Sequence, residues 1–305
     1  MFEIAISQMT TPRWELSLEV DRLAAHGFDA ISLWRPKLSD LGVAAAAALI
    51  ATGGLRVSSL QWAGGFTGGD GRSFDESIDD ALEAIETAEA LAAPVLVVHS
   101  GCRGGHTRSH ARRLLAEALE LLAAPARQAG VTLAVKPMHP VAAAGCSFVS
   151  RLGEAVELVE GFDDPAVRLA LDLWHWADDP EVGRLLPRLA ERTAVIQVAD
   201  RTGAAGAIED RLPAGHGRLP LAEVVADLAA HGFRGDVEFD PVGETSEILG
   251  YEGVLAETRL VASSWAGRIA AEVESGSGPV GAGPAYFRGA GSRRSHASSQ
   301  TVSPG

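Results

Sequence analysis

Five short stretches place a charged or polar residue where an apolar run gives out. They are "VLVVHSG" with His99, "TLAVKPMHP" with Lys136 and His139, "RLALDLWHW" with Asp172 and His175, "AVIQVADR" with Gln197 and Asp200, and "GDVEFDP" with Glu238 and Asp240. Lys136 carries the most information. An unpaired ammonium at the end of an apolar run is costly, so it needs anionic neighbours or a task. With Asp172 and Glu238 beside it, the charged amine is favoured, while desolvation acts the other way. A lysine held in its charged form is a poor nucleophile, which disfavours Schiff-base chemistry. It suits instead the stabilisation of a developing enolate, or the donation of a proton. Trp34 and Trp62 also end β-rich runs and would form one wall for a sugar-like ligand.

These residues must be held by strands, and the chain alternates accordingly. β-rich runs at "FEIAIS", "AISLW" and "RVSSLQW" precede the five above, giving eight. Between them lie segments with helical periodicity, clearest in "SFDESIDDALEAIETAEALAA" and "HARRLLAEALELLAAPARQAG". Several helices stop at Gly before the next strand, and "LAAHGFDAISL" and "LAAHGFRGDVEF" read as an internal βα repeat. The last four strands are apolar throughout except near their C-terminal ends, as strands buried on both faces are. Eight βα units point to a single closed (β/α)8 TIM barrel over residues 1–272, with its active site at the strands' C-terminal ends. A doubly wound open sheet is the alternative, but no G-x-G-x-x-G follows the first strand. Residues 273–305 are Gly-, Ser- and Pro-rich without periodicity and are expected to be a disordered tail.

Composition narrows the partners. The 305 residues are 47% hydrophobic and 22% charged, with a formal net charge of −14. That charge disfavours nucleic acid and anionic membranes as partners. Cys102 and Cys146 are the two cysteines, too few for a disulfide framework, and fit a reducing cytoplasm. "MFEIAISQM" enters a strand pattern at once, so no signal peptide is expected. "GVAAAAALIATGG", the longest apolar run, is too short to span a bilayer.

Four of the motifs, in order, resemble the xylose isomerase-like barrels, a superfamily that includes ketose 3-epimerases, hydroxypyruvate isomerase and inosose dehydratase. "LALDLWHW", with its D-x-x-H spacing, is similar to the sixth strand of that superfamily. "AVIQVADR" is similar to the seventh, where the resemblance makes Gln197 a metal ligand. "RLPAGHGRLPL" resembles a glycine-containing loop, with His216 where an acid is usual. "GDVEFDP" resembles the eighth strand, implying that Glu238 is both metal ligand and catalytic base. The resemblance spans about residues 1–270 and implies the whole barrel.

The fifth strand departs from the pattern: where the superfamily has a metal-binding, catalytic Glu, this chain has Lys136. The resemblance therefore leaves Asp172, Gln197 and Glu238 as ligands, with one position reversed in charge. Lys136 with Asp172 and Glu238 sums to one negative charge without a metal, and a divalent ion would bring the site to one positive charge. Two unit charges about 4 Å apart interact by about 4 kcal/mol at an effective dielectric of 20, so that repulsion counts. Two alternatives stay open: a divalent cation (Mn, Mg or Co) held by three protein ligands and waters, or no cofactor at all.

The expected activity is proton abstraction next to the carbonyl of a small polyhydroxylated sugar or cyclitol, with isomerase or epimerase outcome. Glu238 and Lys136 would be catalytic. His99, His175, Trp34, Trp62, His139 and Arg201 would contact the substrate. The alternatives are a dehydratase or lyase on a keto-sugar or keto-cyclitol, and a non-catalytic sugar-binding barrel in which Lys136 is only a salt-bridge partner. Abasic-site cleavage is disfavoured, since a His-rich zinc cluster and a basic groove are missing. A homo-oligomer is left open. His106 and His110, at i, i+4, read as a solvated first turn, as does the basic stretch with Arg103, Arg108, Arg112 and Arg113.

Overall fold

The computed structural model describes residues 3–275 except 144, 163 and 207–209; most of the expected tail, from residue 276 onward, lies outside the described residues. Eight strands run parallel in the order β1 (Ile4–Ser7), β2 (Ala30–Trp34), β3 (Arg56–Gly64), β4 (Val95–His99), β5 (Thr132–Val135), β6 (Val167–Asp172), β7 (Thr193–Val198) and β8 (Asp236–Phe239). β8 pairs back onto β1 and closes the barrel. One main helix follows each strand: α1 (Leu16–Ala25), α2 (Val43–Thr52), α3 (Phe74–Ala90), α4 (Arg108–Gln128), α5 (Leu152–Glu160), α6 (Pro180–Arg192), α7 (Leu221–Ala230) and α8 (Tyr251–Ser275). This is the (β/α)8 TIM barrel that the alternation predicts.

The two faces of each strand have different work. Leu96, Val98, Leu133, Val135, Leu169, Leu171, Ile196, Val198, Val237 and Phe239 pack outward with the helices in the main core. Val97, Ala134, Ala170 and Val195 form a separate small apolar cluster. Two residues further along each of those strands, on the same face, come His99, Lys136, Asp172 and Gln197. The polar set is thus the next layer of the same inward face, stacked on a dry one.

The helix ends are set by local chemistry. Ser73 and Glu76 form a reciprocal capping box at the start of α3, Thr107 caps α4 and Asp179 caps α6. The "LAAHGF" repeat ends α1 and α7 in the same way. Gly27 (φ 74°) and Gly232 (φ 105°) take the left-handed conformation, and the N–H of Phe28 and of Phe233 donates to the carbonyl of Leu23 and of Leu228, both at 3.0 Å. The following phenylalanines are buried. At the N-terminal end of the barrel, Arg56 on β3 donates two hydrogen bonds of 2.6 Å to Asp236 on β8 and also contacts Glu3.

Candidate active site

Strand register brings three of the predicted residues side by side. Asp172 is level with Gln197, and Gln197 with Glu238. Lys136, one residue past β5, is anchored by its N–H on the Val98 carbonyl at 2.9 Å. Its Nζ lies 2.8 Å from Asp172 Oδ2, with Lys136 only 6% exposed and Asp172 fully buried. The ammonium therefore does meet an acid, as its position demands.

The two expected acids have different surroundings. Asp172 faces Lys136 and Arg211, whose Nη2 lies 3.1 Å from Oδ2 and 3.2 Å from Oδ1; Oδ1 also accepts from the Trp174 N–H at 3.0 Å. Burial alone would raise this carboxyl, but the Arg211 and Lys136 charges outweigh it and hold it well below the ordinary carboxylate range. Glu238 instead accepts from the Ser58 hydroxyl at 2.7 Å and the Gln197 amide at 3.1 Å. Burial pushes its carboxyl up, with the Ser59, Ser58 and Gln197 hydrogen bonds pulling it back. One acid is held in its charged form by two cations; the other has only neutral donors, and burial raises it.

Arg211 is the residue sequence reasoning missed. It lies in the "RLPAGHG" stretch, where its backbone bridges to Val242, and its guanidinium stacks 5.3 Å from the Trp174 ring and lies 2.5 Å from Asp240 Oδ1. Burial raises Asp240 to about 6, Arg211 pulling down and the Asp172 charge adding to the rise. Arg201, the arginine expected to meet substrate, is 2% exposed and occupied elsewhere. It donates to the Trp174 carbonyl at 2.8 Å, to Asp178 at 2.5 Å and to the Gly203 carbonyl, so it holds the loop. His216 pairs with Glu257 on α8 at 2.7 Å. Arg108 and Arg112 are both paired with Glu154, and Arg113 with His110, in keeping with a structural surface.

The remaining predicted contacts cluster around the centre. His175 Nε2 lies 3.7 Å from Asp172 Oδ2. His99 stacks on Trp62, ring centroids 4.8 Å apart. His139 lies 6.1 Å from the Trp176 ring, at the rim. Trp34 and Trp62 line a cavity of about 540 Å³ beside the mouth, and Trp62 and His99 also line a smaller one of about 180 Å³ with Cys102 and Cys146. His99 Nε2, His175 Nδ1, Gln197 Oε1, Trp34 Nε1 and Asp172 Oδ2 are buried without a hydrogen-bond partner, Asp172 Oδ2 being met by the Lys136 and Arg211 charges at ion-pair distance instead. Such atoms are expensive to leave unsatisfied, and a ligand bearing several hydroxyl groups would satisfy them.

Both imidazoles are neutral near pH 7. Burial pushes His175 down to about 3 against the pull of Asp172, and burial with the Lys136 charge puts His99 well below its ordinary value. The stability they confer is present above their unfolded pKa of about 6.5 and is lost as pH falls toward the folded values. Asp240 acts in the opposite sense, adding stability as pH drops through about 6. Glu238 and Glu19, also raised by burial, act in the same sense as Asp240, so the imidazole contribution is read by difference. Between pH 7 and pH 5 the melting temperature of His175→Gln is expected to show a smaller fall, or a larger rise, than that of wild type; identical pH dependence in the two proteins would contradict neutral burial of His175.

The side chains that the resemblance makes metal ligands do not fit a divalent ion. Asp172 is already engaged by two cations, and Gln197 turns its amide nitrogen, not its oxygen, toward Glu238. Among the described residues, no group of three or more His, Cys, Asp and Glu is placed to hold a metal. No helix among them is long and apolar enough to cross a membrane.

Fold and site together define a TIM barrel with a cluster of buried ionisable side chains at its C-terminal mouth, and the sequence agrees with that class. The chain belongs to the xylose isomerase-like TIM barrel family, whose model matches residues 20–250. No curated protein matches the sequence. Among solved structures, protein SMc04130 from Sinorhizobium meliloti 1021 is 26% identical, with a TM-score of 0.78 over 86% of this chain and 98% of that one. IolI protein with a bound zinc atom is 19% identical, with a TM-score of 0.76 over 88% and 99% of the two chains. D-psicose 3-epimerase with D-tagatose, from Clostridium cellulolyticum H10, is 13% identical, with a TM-score of 0.71 over 88% and 99%. These last two likenesses concern the fold alone.

Proposed function

We propose that this protein is a sugar isomerase-like enzyme that removes a proton next to the carbonyl of a small polyhydroxylated compound. The observation that carries the reading is Glu238: a buried carboxylate with a raised pKa, held by neutral donors, in the same layer as a charged lysine. Glu238 takes the proton from carbon, and the Lys136 ammonium donates a hydrogen bond to the carbonyl oxygen as it gains charge. Asp172 holds that side chain in place through the 2.8 Å contact. His99, His175 and Gln197 meet substrate hydroxyls with their unpaired atoms, and Trp62 covers an apolar sugar face.

Returning the proton from Glu238 to the neighbouring carbon, while the hydroxyl on that side passes its proton to the former carbonyl oxygen, gives isomerisation; loss of a β-hydroxyl as water, with the proton held by Glu238, gives elimination. Epimerisation needs a proton donor on the opposite face of the carbon, a role open to Lys136. Isomerisation and elimination are at least as natural as epimerisation. A second reading, a non-catalytic sugar-binding barrel, draws on the Lys136–Asp172–Arg211 network, which would be equally at home in a purely structural role. Incubation of a broad panel of ketoses and keto-cyclitols in D₂O separates the two. Solvent deuterium in recovered sugar is expected; its absence across the panel would favour the binding barrel.

A further inference from the structure

We infer that Lys136 and Arg211 together supply the positive charge at this barrel mouth, so that the centre operates without a divalent metal. The inference rests on the proton-transfer reading above and extends it to the cofactor. Asp172 Oδ2 has the Lys136 ammonium at 2.8 Å and the Arg211 guanidinium at 3.1 Å. An ion bound to that oxygen at about 2.0–2.6 Å would lie within roughly 5–6 Å of both cations, inside a site that burial keeps from water's screening. Counted at full ionisation, Lys136 and Arg211 against Asp172, Glu238 and Asp240 leave one negative charge, which a divalent ion would turn into one positive charge.

Geometry adds to the charge argument. Gln197 donates its amide nitrogen to Glu238, so the edge these two residues share carries a hydrogen where a metal bridging them would need a lone pair, and its free Oε1 is left to a neutral ligand hydroxyl. Arg211 is fixed from three sides, by Asp172, Asp240 and the Trp174 ring, and cannot withdraw without leaving two buried carboxylates short of a partner. Lys136, reaching a single acid along a flexible stem, is the element whose change would open the site.

The test is metal binding, read independently of activity. Elemental analysis of protein purified without chelator is expected to find Mn, Mg, Co and Zn well below one equivalent, and titration with MnCl₂ to show no stoichiometric site. Lys136→Glu reverses the charge at the critical position and is expected to bind Mn²⁺ at least about a hundredfold more tightly than wild type. Stoichiometric metal in the wild-type protein overturns the inference, as does unchanged Mn²⁺ affinity in folded Lys136→Glu. If that variant does not fold, the wild-type measurements decide. Deuterium exchange in EDTA keeps the two proposals apart. Exchange that survives the chelator supports both. Exchange that requires added metal overturns the metal-free inference and leaves proton transfer standing. Exchange absent with and without metal overturns proton transfer, and the binding data alone then decide whether the mouth excludes the ion.

Discussion

Glu238→Gln is expected to lower deuterium exchange into substrate by about 10²–10⁴-fold while leaving the fold intact. The amide keeps the size of the carboxylate and can still accept from Ser58, which now donates to Glu238 at 2.7 Å. Gln197 faces it with an amide nitrogen and has a buried, unpaired Oε1, so a turn of the Gln197 side chain would restore complementarity to the new amide. The substitution also removes a buried charge whose desolvation is costly, so thermal stability should hold or rise. Retained ligand binding with lost exchange is the signature of a missing base. Near wild-type exchange in the folded variant would remove Glu238 from the chemistry. In the wild-type protein, exchange should rise with pH through a value above that of an ordinary glutamate, since only the ionised form can take the proton.

Asp172→Asn is expected to cost about 3–5 kcal/mol, because it strips a buried cation pair of its shared counter-charge. Lys136 loses its 2.8 Å partner, and Arg211 keeps only Asp240. For a chain of this size that loss corresponds to a melting temperature lower by on the order of 10 °C. The pH sign follows from the depressed pKa of Asp172: its stabilisation is present above the unfolded value of about 3.9 and is lost as pH falls through the folded one. Adding Lys136→Met to Asp172→Asn should recover part of the loss, because one unpaired cation goes with it. Equal unfolding free energies for wild type and Asp172→Asn in urea would show that the pair carries no net stability.

Much of this was legible before any coordinates. Strand-end polar residues could be found because each follows an apolar residue two places earlier on the same face: Ala134 and Lys136, Ala170 and Asp172, Val195 and Gln197. The glycine stops were legible because only a left-handed turn ends such helices tidily, and both copies of "LAAHGF" obey it. The partners of Glu238 were not legible. Ser58 lies 180 residues away on β3, and nothing in "RVSSLQW" says which serine turns inward. Arg211 was passed over for Arg201 because both sit in one long connection, and only the bridge to Val242 aims the first at the centre. Which acid meets an ammonium is likewise a matter of side-chain reach, and Lys136 reaches Asp172 in the place where two acids were expected.

The clasp between Arg56 and Asp236 joins β3 and β8, which are not neighbours in the sheet, at the end of the barrel remote from the mouth. It ties the staves together like a hoop where no chemistry takes place. Exchanges at the opposite rim leave that clasp untouched, so their cost is set by the mouth's own ion pairs, those of Asp172 with Lys136 and Arg211 first among them.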